Sequence, residues 1–209
     1  MRGLSKESSQ DALNPYIALA DTTLNLVLVL VLFVASVLLA IQLRENTYKD
    51  ARVEFQQAVE QAITPQERPR LIPYKVKNDP PGSQRWSFSQ FTLFESGTAR
   101  FTPKGNSVLE RFAQVLAQYG NTYRRVRIEG HTLPTPAGGR DNWALATDRA
   151  AAVANLFTSQ ACALSPYYLA TAGRGGQDPL GSLPLTDRRH ERIEIVLEYA
   201  AQSARAQNC

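Results

Sequence analysis

From Leu24 to Ile41 the chain reads LNLVLVLVLFVASVLLAI, a run without a single charge. A hydrocarbon core of about 30 Å takes roughly 20 helical residues to cross. Tyr16, Ile17, Ala18, Leu19 and Ala20 extend the apolar character backwards, so the run is long enough to span a bilayer with some tilt. A cleavable leader would have a shorter apolar core, about 7–15 residues, ending in a box of small residues. Ala40-Ile41-Gln42 is a poor cleavage box, and the reading is therefore an uncleaved single transmembrane helix. A mean hydropathy of −0.27 over the whole chain hides this segment, because the apolar residues are unevenly spread.

The start of that helix decides how Asp21 is read. Asn is a favoured N-cap and Pro fits the first helical position, so Asn14-Pro15 predicts a start near Pro15. Asp21 then lies about 9 Å inside, at about 1.5 Å per residue. Asn25, four residues on, falls on the same face, and Ser36 lies close to that stripe. An ionisable side chain within a span is costly unless it faces protein or water, which makes Asp21, with Asn25, a candidate ion- or proton-carrying site. The competing reading is a helix that starts at Thr22, with Asp21 as its cap among the headgroups. A lone span with a polar stripe implies helix partners, since lipid offers Asp21 and Asn25 nothing to bond. Arg2 and Lys6 before the run are balanced by Arg44, Lys49 and Arg52 after it, so the basic residues do not set an orientation.

Residues 44–63 continue as an amphipathic helical pattern, with Val53, Phe55, Ala58 and Ile63 scattered among charges and no sustained heptad. Thr64 to Gln84 carries Pro65, Pro69, Pro73, Pro80, Pro81 and Gly82, and reads as an extended linker. Helix and linker together would reach about 100 Å as a tether. The expected organisation is a tail over 1–14, a transmembrane helix over 15–43, a helical stem and Pro-rich linker over 44–85, and a folded domain over 86–209.

Within that domain strand and helix signals alternate. Trp86 to Leu93 is β-rich, and Val108, Leu109, Phe112, Val115, Leu116 and Tyr119 share one helical face. Val126 and Ile128 alternate with Arg127 and Glu129 up to Gly130; Leu145, Ala152, Val153 and Leu156 mark a second helix. Tyr168 to Thr171 is a short strand, and Ile193, Ile195, Leu197 and Tyr199 alternate with Glu194, Val196 and Glu198 in the last. The order βαβαββ predicts an α/β sandwich, two helices on one face of a mixed sheet.

Five motifs in this order carry a resemblance over about residues 91–199. They are Phe94-Glu95-Ser96-Gly97-Thr98-Ala99 leading into Pro103 and Gly105; Ile128-Glu129-Gly130-His131-Thr132; Asn142, Leu145, Arg149 and Ala150; Gly173-Arg174-Gly175 with Pro179; and Arg192-Ile193-Glu194-Ile195. The chain resembles proteins with the OmpA-type peptidoglycan-binding domain. With its single span and early Ala20-Asp21, it is also similar to the B subunits of ion-driven stators, the MotB class. The resemblance implies an inner-membrane protein with residues 1–14 cytoplasmic and the domain periplasmic. It implies a ring of multi-span partners of the MotA, TolQ or ExbB kind, a homodimer and attachment to peptidoglycan. The alternative is a membrane-tethered wall anchor without ion transport. The span lacks the Met- and Phe-rich character associated with flagellar versions, which leans the resemblance toward non-flagellar motors such as the Zorya-type phage-defence stators.

The family clasps the diaminopimelate of the peptide stem, an Arg taking its carboxylate. By motif that Arg is Arg149, with Asn142 and Leu145 before it and Arg192 on the last strand; a guanidinium fork suits a carboxylate because it donates two parallel hydrogen bonds. Two positions depart from the pattern. Gly-His-Thr-Asp becomes Gly130-His131-Thr132-Leu133, losing the carboxylate that would take the ligand's ammonium, and Asn-Arg-Arg becomes His190-Glu191-Arg192. Asp141 or Asp148 is a candidate replacement.

Other classes are disfavoured. His131 has no Ser or Cys nucleophile set beside it by any motif, so no catalytic residue is expected. Two Cys cannot build a four-Cys zinc site and two His cannot make a His-rich centre, and neither a metal nor a cofactor is expected. The pI near 9.2 and Arg124-Arg125-Arg127 bring no interleaved aromatic platform, so nucleic acid is not an expected partner and a solvated strand face is the ordinary explanation. Cys162 and Cys209, periplasmic in this layout, are either a disulfide pinning the C-terminus or two free thiols.

Overall fold

The computed structural model describes residues 15–72, 79–80, 82–120, 122–134, 140–159, 164–181 and 183–199. Cys162, Cys209 and the tail over 1–14 lie outside these residues. Helix α1 runs Pro15–Ala62, and the chain divides at Arg44 into two compact units that are described separately.

In the first unit α1 carries Leu19–Leu43, 25 residues within which an 18-residue window has a mean hydropathy of 3.0 and none of that window is buried. Its polar side chains are largely satisfied by the helix itself. Thr22 and Thr23 donate back to the carbonyls of Leu19 and Ala20, both at 2.9 Å, and Ser36 donates to Phe33 at 2.7 Å. With α1 helical from Pro15, Asp21 sits in the second turn and is no cap.

The second unit begins at Glu45 and is built on one five-stranded sheet in the order β1-β2-β5-β3-β4. The strands are β1 (Arg70–Ile72), β2 (Gln84–Ser89), β3 (Tyr123–His131), β4 (Leu169–Gly175) and β5 (Arg192–Tyr199). β3 and β4 are parallel and every other pairing is antiparallel. Helices α3 (Pro103–Gln118) and α4 (Arg140–Ser159) cover one face. Thr102 caps α3: its hydroxyl accepts from the Gly105 N–H at 2.9 Å, and Pro103 occupies the first turn. This is the α/β sandwich expected from the alternating signals, with β1 added.

Three elements differ from the expectation. Trp86 to Leu93 is not one strand: β2 ends at Ser89, and Gln90–Leu93 forms a single helical turn, α2. The Pro-rich stretch is not wholly a free linker either. Arg70–Ile72 pairs with Ser87–Arg85 as an edge strand, where three residues between prolines suffice. The stem is likewise part of the domain, because Phe55, Val59 and Ile63 recur every four residues and are buried. Phe55 meets Trp86, Phe112 and Tyr119 edge to face at centroid distances of 5.9, 5.8 and 5.7 Å. Tyr119 donates to the Glu54 carbonyl at 3.5 Å and Gln84 to the Arg52 carbonyl at 3.3 Å. The stem residues from Phe55 to Ile63 thus fold with the domain and are unavailable as tether.

Removing the Phe55 ring should cost about 3–5 kcal/mol, the usual range for Phe→Ala in a core. A fragment that starts at residue 86 loses Phe55, Val59, Ile63, β1 and Arg85. It is expected to melt at a markedly lower temperature than one starting at residue 45, as read by circular dichroism.

Candidate functional site

The helix-covered face and the opposite face of the sheet have different chemistry. Ile193, Ile195, Leu197 and Tyr199 of β5 join the apolar core, while Arg192, Glu194 and Glu198 point the other way and are also buried. On that second face Arg85 of β2 is hydrogen-bonded to Glu129 at 2.6 Å, contacts Glu194, and pairs with Asp79 at 2.7 Å. Arg174 donates to Glu129 at 2.7 Å, and Arg127 pairs with Asp79, Glu129 and Glu198. Arg124 and Arg125 are exposed and Arg127 is not, so the expectation of a solvated strand face fails at Arg127.

Burial alone would raise the Glu129 carboxyl, but the hydrogen bond and charge of Arg85, with Arg174 and Arg127, bring it down to about 2. His131 is buried beside Glu129 and Glu194, and burial, helped by Arg192 and Arg85, holds its pKa well below the usual histidine value. Both of its ring nitrogens lack a hydrogen-bond partner among the described residues. Glu129, His131 and Glu194 present ligand atoms within 4.8 Å of one another, the spacing of a metal site. The set does not fit a cation, because Arg85, Arg127, Arg174 and Arg192 already occupy the carboxylates. This face is structural.

The residues singled out by the family resemblance lie on both faces. Gly130 faces α4, where a Cβ would meet the Ala146 carbonyl at 2.0 Å; only Gly allows the strand so close to the helix. That approach puts the loop after β3 beside the start of α4, and Asn142 donates to the Leu133 carbonyl at 3.2 Å. Leu145 is half-buried. One turn further Arg149 is 1% exposed and reaches across to the segment between β2 and α3. Its Nε donates to the Thr98 carbonyl at 2.8 Å, its Nη1 to Gln90 Oε1, and its guanidinium carbon lies 5.5 Å from the Phe94 ring centre. The Thr98 carbonyl is offered by a turn that Gly97 makes with φ +70°. The remaining nitrogen, Nη2, is buried without a hydrogen-bond partner among the described residues, as is Thr132 Oγ1 in the loop.

Arg192 is not brought to this cluster. It lies on the charged face, where its nitrogens are spent on Glu194, the His190 carbonyl and, at 3.1 Å, the Asp178 carbonyl. Asp148 is exposed. The side chain of Asp141 lies outside the described residues. Gln90 was not singled out by the sequence, because its place beside Arg149 depends on contacts between distant segments. In the first unit Asp21 and Asn25 are joined, with Asn25 Nδ2 donating to Asp21 Oδ1 at 3.3 Å.

Residues 93–192 match the model of the OmpA family. Among solved structures the chain is similar to a MotB-like protein from Desulfovibrio vulgaris, with 21% identity and a TM-score of 0.54, over 80% of this chain and 96% of that one. It is also similar to the cell wall anchor of the T6SS from Pseudomonas aeruginosa, with 19% identity and a TM-score of 0.53, over 70% and 97%. The periplasmic domain of Helicobacter pylori MotB, residues 78–256, gives 14% identity and a TM-score of 0.50, over 66% and 87%. At these identities the likeness is one of fold. No curated protein matches the chain in sequence.

The charged face should make the domain acid-labile. Glu129 is depressed in the folded state, so its contribution is complete above the ordinary carboxylate range and is lost as pH falls from about 4.5 toward 2. His131 adds in the same direction, since the unfolded chain takes up a proton near the ordinary histidine value of 6.5 that the folded one resists. Replacing Glu129 with Gln should destabilise the domain by about 3–5 kcal/mol at pH 7 by stranding buried guanidiniums. It should also flatten the acid limb of a urea midpoint-versus-pH curve.

Proposed function

We propose that the chain is the B subunit of an ion-driven stator held on peptidoglycan. The supporting observation is the pairing, in one chain, of an apolar helix that carries Asp21 hydrogen-bonded to Asn25 with an OmpA-type domain that carries a buried arginine donor lacking a partner. In this reading Leu19–Leu43 crosses the inner membrane, residues 1–14 are cytoplasmic and the domain is periplasmic. Asp21 accepts a proton or sodium ion within a ring of MotA-, TolQ- or ExbB-like multi-span subunits that surrounds two copies of this chain. Arg149 takes a carboxylate of the peptide stem, with Asn142 and Leu145 shaping the approach. The motor served is non-flagellar, of the Zorya-type phage-defence kind.

A second reading is a wall anchor that moves no ions. The similarity to the T6SS cell wall anchor, whose length this chain covers almost completely, favours it.

Two measurements decide between these readings. Purified full chain should sediment with isolated sacculi, and Arg149→Ala should reduce the bound fraction at least tenfold, as expected when a charge-assisted hydrogen bond to a ligand is lost. If Arg149→Ala binds as well as the parent, the wall-binding assignment is wrong. Asp21→Asn keeps size and hydrogen bonding but cannot change charge. It should insert and assemble normally while ion-dependent function disappears. Full activity of that variant, in cells that require the parent, would leave the anchor reading.

A further inference from the structure

A cleft of about 470 Å³ opens in the second unit, lined by the stem part of α1, by β1 and by the start of β2. Arg149 and Asn142 take no part in it. Lys49, Arg52 and Val53 line it from one face of α1, being three and four residues apart. Leu71 and Ile72 of β1, both half-buried, line it as well, together with Asp79 and Arg85.

The charges in this lining fall into two groups. Asp79 and Arg85 are spent: Asp79 is 3% exposed and pairs with both Arg85 and Arg127, while Arg85 also holds Glu129. Lys49 and Arg52 are not. Neither side chain makes a hydrogen bond or an ion pair among the described residues, and Arg52 offers the domain only its backbone carbonyl, which accepts from Gln84. The acids next to them in sequence, Asp50 and Glu54, are exposed and do not line the cleft. Arg52 stands near enough to the buried Tyr199 phenol for its charge to oppose the upward push that burial gives that group. The cleft therefore holds two uncompensated positive charges beside apolar surface, where Val53 remains 53% exposed. A ligand that fits is anionic at one end and apolar at the other.

Chain length decides where such a ligand is met. Lys49 and Arg52 follow Leu43, the last residue of the apolar run, by six and nine residues. Six residues reach at most about 20 Å even when fully extended, so with Leu19–Leu43 in a bilayer Lys49 cannot leave the neighbourhood of the headgroups. We propose that this cleft is a headgroup site for an anionic phospholipid, with the phosphate on Lys49 and Arg52 and the glycerol portion against Val53, Leu71 and Ile72. The proposal rests on the membrane-spanning part of the reading above and is independent of wall binding and ion transport.

The test uses full chain purified in a neutral detergent and mixed with phosphatidylglycerol or phosphatidylcholine, the lipid retained per chain being counted by native mass spectrometry. The parent should keep one phosphatidylglycerol and at least tenfold less phosphatidylcholine. Lys49→Gln combined with Arg52→Gln should lower the retained phosphatidylglycerol about tenfold or more, as expected when two charge-assisted contacts are lost, with an unchanged melting temperature. Should the double variant melt lower, Lys49→Glu, at an exposed position, takes its place and should give the same loss. Retention of both lipids alike, or equal retention by parent and variant, overturns the proposal. Displacement of the lipid by inorganic phosphate at equal concentration also overturns it, because the cleft would then be a site for a free anion. Carbonate washing of cell membranes keeps the two readings apart. A chain that washes off removes the span and this site with it, whereas a chain that stays but retains no phosphatidylglycerol removes the site alone.

Discussion

Strand β5 is buried along its whole length, and the rest of the domain follows from that. Its alternate residues face an apolar core on one side and a layer of charge on the other. Because side chains alternate with period two, a slip of one residue would drive Glu194 and Glu198 into the helices and Ile193, Ile195 and Leu197 into the arginines. Register is thus enforced from both faces. Arg85, Arg127 and Arg174 come from three different strands and meet on Glu129, so the ionic layer also fixes β2, β3 and β4 relative to one another. Buried ion pairs add little net stability over apolar packing, and what they impose here is one arrangement of strands.

The periodicities of the sequence carried much of this. Helices α3 and α4 and strands β3, β4 and β5 lie where their apolar spacing placed them, and the order of elements follows from that spacing. What escaped was non-local. Phe55, Val59 and Ile63 are separated by charges and Gln, and only the aromatic hollow formed by Trp86, Phe112 and Tyr119 makes them core. β1 is too short to announce itself and exists because β2 offers an open edge. Arg127 and Glu198 looked like the solvent side of half-buried strands, since nothing in either strand alone reveals that the other's charges will neutralise it.

The site shows the same division. Motif spacing located Arg149 on α4, and Gly130 allowed that helix to approach β3. The cradle of Arg149 comes from Gln90, Phe94 and Thr98, roughly fifty to sixty residues earlier in the chain, and its depth was not legible from the motif. Arg192 illustrates the converse. It fits the family's pattern as a residue type, but the fold turns it to the opposite face of the sheet, where Glu194 and two carbonyls consume it.

The charges assigned to structure differ from those assigned to function in forming carboxylate–guanidinium pairs with one another among the described residues. Glu129 has three guanidiniums and needs nothing more. Arg149 has two acceptors for its guanidinium nitrogens and one nitrogen left over. Asp21 receives one hydrogen bond from Asn25, although a carboxylate accepts about four, and its helix surface is exposed along Leu19–Leu43. Once that surface lies in a bilayer, lipid offers no donor, so whatever completes the coordination of Asp21 must be water, an ion or another chain. In the proposed reading Asp21 and Arg149 are where the protein meets an ion and a ligand, whereas the charges around Glu129 are paired with one another, although His131 and single nitrogens of Arg127 and Arg174 are left without a hydrogen bond among the described residues.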